Sequence, residues 1–289
     1  MSKPYYRTHF ESLGDFLKAS QQPSISRANS SKREGRGEEE FSGTRNFDQA
    51  IRLAEKGWPE GRAKLMTAMA AAQSTPSFTP SIVMDVAGAY PIAALAAAGD
   101  PCSMVDLAPV EDRVRPVVRL LIQRAGSSAY DVNEFMSYGA AVMSYVEGLE
   151  GAGFRCEITL CFASDLKSDG DQCTTVLVKR AEEPIEIDRM AFVMVHPAMF
   201  RRICFAVFET IPGLSQVLEN NGYGYSRNPR ADEAERGQCI IPGINSIKPG
   251  NSALKSPAAC LAHIGPVIEE QLRQAGVEPP AQAFGGVSK

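Results

Sequence analysis

Histidine, tryptophan and closely spaced cysteine are scarce in this 289-residue sequence, and each scarcity excludes something. With only His9, His196 and His263, any histidine-based mechanism has few candidates. The seven cysteines are odd in number and none stands in C-x-x-C spacing, so neither a zinc ribbon nor a thioredoxin-type motif is expected. Most lie in apolar runs, where a thiol acts as a small hydrophobe, and they read as reduced core residues in a cytoplasm. No apolar run approaches the roughly 18 residues of a membrane helix, and the opening MSKPYYRTHFESLGDFLKAS is too polar for a signal peptide. The expected location is therefore cytoplasmic, with no membrane partner. A net charge of −4 gives no concentrated basic surface for a long phosphate backbone. GxGxxG, GxxxxGK[ST] and GxSxG are all missing, which leaves dinucleotide, P-loop and hydrolase readings without an anchor.

The composition that is present, 44% apolar and 22% charged, is that of a globular chain. Residues 1–18 read as a short docking helix. Residues 19–40, ASQQPSISRANSSKREGRGEEE, hold one strongly apolar residue and read as a disordered linker. From 41 to 110 a helical pair and a strand–helix segment are expected to pack on the main domain. Thr44 or Asn46 caps the first helix and Gly57 ends it; Pro59 starts the second, with Leu65, Met66, Met69 and Ala70 on its buried side. Trp58, at that corner, reads as a structural plug.

Residues 111–276 carry the clearest architecture. VVRLLIQ (117–123) is a strand covered on both faces, and Asp131 with Glu134 forms a capping box for a long helix. CEITLCFA (156–163) and TTVLVKR (174–180) pair antiparallel, the second at the sheet edge with Lys179 and Arg180 in solvent. Two helical segments follow, the first capped by Asp188; then come a strand at 239–245 and a helix capped by Ser256. The tail, 277–289, is expected to be flexible. The fold class is α/β: a three-layer mixed sheet with an antiparallel edge strand, plus an N-terminal helical segment.

From Val117 onward, the order of central strand, serine loop, long helix, strand, antiparallel edge strand, helix, strand and helix resembles a von Willebrand factor A-type domain. The phrases FSGTRNF, GWPEG, DVAGAYP, SYGAAV, LEGAGF and HPAMFRR are similar to an uncharacterised family found in bacteriophages and prophages, which implies a phage-encoded protein acting in a host cytoplasm. The A-type resemblance implies a magnesium site of the form Asp-x-Ser-x-Ser. Here Ser127 and Ser128 are present, the leading aspartate is not, and Arg124 opposes a cation. A metal-free version of the fold is expected, with magnesium as the alternative and no other cofactor. The resemblance also implies partner binding at the loop edge, residues 124–131, 196–202 and 245–252, which are expected to converge.

Other candidates are weighed on their residues. His196 with Arg201 and Arg202 reads either as an anion pocket or as a helix-start cap. Tyr223, Tyr225, Arg227 and Arg230 in GYGYSRNPR combine aromatic faces with guanidinium groups, suited to stacked bases, to a protein partner, or simply to covering the core. Asp165, Asp169 and Asp171 read as a solvated hairpin tip rather than a calcium loop. The functional expectation is a non-enzymatic binding or assembly protein with a protein partner. A metal- or nucleotide-dependent enzyme and a single-stranded nucleic-acid binder are the alternatives, and oligomeric state is left open.

Overall fold

The computed structural model describes residues 3–27, 29–72, 82–88, 90–107, 116–235 and 237–279. The chain opens with a strand, β1 (Tyr5–Phe10), and a helix, α1 (Leu13–Ser20), capped by the Ser12 hydroxyl. Three helices follow: α2 (Arg36–Ser42), α3 (Phe47–Lys56) and α4 (Pro59–Ala72). Next come β2 (Ile82–Asp85), β3 (Tyr90–Pro91), α5 (Ala93–Ala97) and β4 (Met104–Leu107). The main body continues with β5 (Val117–Gln123), α6 (Val132–Gly151), β6 (Arg155–Asp165), β7 (Asp171–Lys179) and α7 (Ile187–Val195). A π-helical turn at Met199–Cys204 runs into α8 (Phe205–Phe208), followed by α9 (Leu214–Asn221), β8 (Tyr225–Ser226), β9 (Gln238–Ile241) and α10 (Pro257–Gln274).

The main sheet has the order β1-β7-β6-β5-β9, with β8 paired to the end of β6. β5 lies parallel to β6 (Val117 opposite Arg155) and to β9 (Leu120 opposite Cys239), whereas β7 runs antiparallel to β6. This is the mixed α/β sheet expected of helices alternating with strands. Its larger core lies on the face of Leu120, Ile122, Ile158, Leu160 and Val176. Among the described residues, helical side chains enter only this cluster. The smaller cluster, on the opposite face, consists of Leu121, Cys161, Ala163 and Cys173 with Ala234 and Ile240 against it.

Local signals account for much of this. Asp131 accepts the Glu134 N–H and Glu134 accepts the Asp131 N–H, the reciprocal capping box at the start of α6. Asn46 caps α3, and Ser256 with Pro257 starts α10.

Several expectations are corrected. Residues 5–10 form a strand rather than part of a docking helix. YYRTHF alternates exposed and half-buried positions, and β1 adds parallel to β7 (Tyr5 opposite Asp171). β7 is therefore not the sheet edge, and Lys179 is not in solvent: its ammonium is buried, 2.7 Å from Glu150 and 2.7 Å from the Cys156 carbonyl. Asp188 does not cap α7, whose cap position is Glu186; Asp188 lies 3.3 Å from Arg62 and its carbonyl accepts the Trp58 N–H. On α4 the buried stripe is Gly61, Leu65 and Met69, while Met66 and Ala70 face outward. The last strand ends at Ile241.

The expected linker is also packed. Ser20, Ser26 and Ser31 are buried, with Ser26 donating to the Ser215 carbonyl at 2.9 Å. These residues are held by hydrogen bonds rather than apolar burial, so low hydrophobicity alone does not reveal their placement. The segment from 82 to 107 forms its own sheet, β2-β4-β3, and none of its described side chains is buried. Residues 280–289, most of the expected flexible tail, lie outside the described residues.

Candidate functional site

At the carboxyl ends of β5 and β9, two loops meet. The Ser127 N–H donates to the Asn245 side-chain oxygen at 3.2 Å, and the Tyr130 hydroxyl to the Ile247 carbonyl at 2.6 Å. Tyr138 donates to the Pro242 carbonyl, and the Gly250 N–H to Glu134 at 2.6 Å. The segments 124–131 and 245–252 thus form one edge, as their positions after β5 and β9 imply, whereas 196–202 follows α7, is buried, and lies beneath that edge rather than on it. Glu134 has a second role that its capping position does not disclose, since it anchors Gly250 as well as Asp131.

Two arginines, Arg124 and Arg201, fix the floor of this edge. Arg124 is buried and donates to the carbonyls of Val193 at 3.0 Å and His196 at 3.1 Å, closing the last turn of α7 with a positive charge where the helix dipole is negative. Burial, and then repulsion from Arg201, pull Arg124 down to about 10, so it remains a cation at neutral pH. Arg201 donates to the Ser127 carbonyl at 3.1 Å and to the Phe41 carbonyl; burial pulls it, too, down to about 10. Its guanidinium lies 4.5 Å from the Phe41 ring and 5.8 Å from Phe135.

Arg202 faces away from the edge. It donates to the Ser42 hydroxyl at 2.8 Å and to the carbonyls of Ser31, Arg33 and Thr44 at 3.0, 2.9 and 2.8 Å. The adjacent arginines therefore spend donors on backbone carbonyls rather than forming a joint anion pocket.

His196 is buried between aromatic rings, with Trp58 edge-on at 4.7 Å and Phe192 stacked at 5.1 Å. Its Nδ1 accepts the Ala198 N–H at 3.1 Å, which puts the proton of the neutral ring on Nε2. Burial, then Arg124, pull it down to about 3, so the ring is neutral at physiological pH and serves as a cap. Trp58 occupies the predicted corner, half-buried against the core; a Cβ on Gly61 would lie 1.9 Å from the indole.

The GYGYSRNPR residues separate. Tyr223 stacks on Phe205 at 3.6 Å and donates its hydroxyl to Glu209. Tyr225 is exposed, with the Lys167 ammonium 4.9 Å from its ring centre. Arg227 pairs with buried Glu233, which also accepts the Tyr5 hydroxyl at 2.7 Å, and Arg230 pairs with Asp171. Of this group, Tyr225 alone has an exposed aromatic ring.

What remains open at the loop edge is Ser127, Ser128, Ser246, Lys248 and Asn251, a hydrogen-bonding surface with little charge. The donor set does not fit magnesium: the Ser127 carbonyl already receives a guanidinium, and Asp131 is engaged in capping. Among the described residues, no three His, Cys, Asp or Glu side chains gather in a way that could hold a metal ion.

The fold and its loop edge define a mixed α/β-sheet protein whose N-terminal segment is tied into the body. A family model for a domain of unknown function, DUF7192, matches residues 1–278, and the chain belongs to that family. No curated protein and no solved structure matches it.

Proposed function

We propose that this is a non-enzymatic binding or assembly protein, phage-encoded and acting in the host cytoplasm, which engages a protein partner through the loop edge of a degenerate von Willebrand A-like domain. The observation that carries the reading is the meeting of the loops after β5 and β9 at one exposed edge, laid over the buried 196–202 segment, with Arg124, Arg201 and Glu134 holding its backbone. A surface fixed from below and open to solvent is suited to recognition, since little loop entropy is lost on docking. The strand order around β5, with antiparallel β7 beyond β6, supports the A-type reading.

Site-specific photocrosslinking tests the proposal. With a photoreactive residue at Ser128, a discrete protein adduct forms in cells that carry the chain naturally; at Val267, on the exposed face of α10, none forms. Equal adducts at both positions, or none at either, refute it.

A further inference from the structure

We infer that α2 is a lid on the loop edge, hinged at Gly35 and Gly43 and latched by Arg201. The inference rests on the loop-edge reading for its consequence, though not for its test. α2 is seven residues long and is bounded by glycines at φ 130° and φ 76°, a region that other residues rarely adopt. Its one buried residue is Ser42, beside the second hinge, while Arg36, Gly37, Glu39 and Glu40 are exposed. The element therefore has little apolar surface to hold it down, which places its opening at the low end of the protein's local stabilities.

Its latch is Arg201. That guanidinium receives the Phe41 ring at 4.5 Å, donates to the Phe41 carbonyl, and through its other terminal nitrogen holds the Ser127 carbonyl at 3.1 Å. One side chain thus touches both the lid and the edge. Beyond the hinge, Arg202 holds Thr44 and keeps that side fixed, while its bond to Ser42, the last residue of α2, is a second latch that must also release for α2 to turn. Opening removes Phe41 from Arg201 and leaves the guanidinium face and Phe135 beside Ser127 available to a partner. The family match covers this segment together with the sheet.

Hydrogen exchange on the full chain tests this without a partner. In the wild type, amides of residues 38–42 exchange faster than those of α3, and Phe41→Ala accelerates them about tenfold further while α3 amides and the melting temperature stay unchanged. Phe41→Tyr, which keeps a ring over Arg201, retains the wild-type rate. Exchange of 38–42 in step with α3 in all three proteins overturns the lid. A second readout separates the two ideas: Phe41→Ala raises photocrosslinking from position 128 if the lid covers the edge. An unchanged yield there, with crosslinking intact, sinks the lid and spares the loop-edge reading.

Discussion

Ser31 binds Glu209 twice, through its hydroxyl at 2.7 Å and its backbone N–H at 3.1 Å, and both groups are buried. Arg202 takes the Ser31 carbonyl at 3.0 Å, and the Tyr223 hydroxyl donates to Glu209 from the other side. The N-terminal segment is thereby clamped to the body by polar contacts. Hydrogen bonds to a charged group contribute about 1.5–3 kcal/mol each, so Ser31→Ala should cost roughly 2 kcal/mol of stability. Arg202→Ala should cost more, since it leaves three carbonyls and the Ser42 hydroxyl without this donor. Denaturant unfolding checks both; losses under 0.5 kcal/mol would show that the clamp contributes little.

Trp58 is placed to stabilise the α3–α4 corner, edge-on to His196. Trp58→Ala should cost roughly 3 kcal/mol. Gly61→Ala should also destabilise, because its methyl would collide with the indole. A Gly61→Ala protein with a wild-type melting temperature would mean that the indole is free to move aside.

The neutral, buried His196 makes stability depend on pH with a definite sign. Its folded value, near 3, lies below the unfolded value of about 6.5, so the contribution is complete above pH 6.5 and is lost as pH falls toward 3. From pH 7.5 to 5.5 this group alone should remove about 1.4 kcal/mol, before most carboxylates titrate. His196→Asn should remove that slope, and an identical slope in the variant would assign it elsewhere.

Thiol reactivity should be singular. Cys102 is exposed, whereas the other six cysteines are buried. Burial raises Cys156 and Cys260 to about 12, although Cys173 is lowered by the Cys161 thiol 3.5 Å away. Ellman titration of the native protein should give one fast thiol per chain; two or more would show that a buried cysteine becomes accessible without unfolding.

How much of this was legible follows from the range of the interactions. The α6 capping box, the Gly57–Pro59 corner and the strands β5 to β7 rest on residues within a few positions of one another, and their chemistry can be read locally. The meeting of 124–131 with 245–252 was also legible, because β5 and β9 are neighbouring parallel strands whose ends share one edge, whereas the burial of 196–202 after a helix was not. β1 was not: YYRTHF followed by an amphipathic helix resembles one continuous helix until β7 supplies the strand's hydrogen-bonding partner. The Ser31 clamp and the carbonyls taken by Arg201 and Arg202 join residues 74 to 178 positions apart. Sequence displays the charges of those arginines and hides their acceptors, so an anion pocket and a set of backbone anchors look the same.

The most direct test of the account is the effect of Ser128→Arg on recovery of the partner identified by crosslinking, measured by quantitative co-purification alongside the melting temperature. Ser128 is exposed at the meeting point of the loops, so a long cation there should leave folding intact and reduce recovery at least tenfold, about 1.4 kcal/mol of binding. Undiminished recovery by a normally folded Ser128→Arg protein would contradict the loop edge as the binding surface.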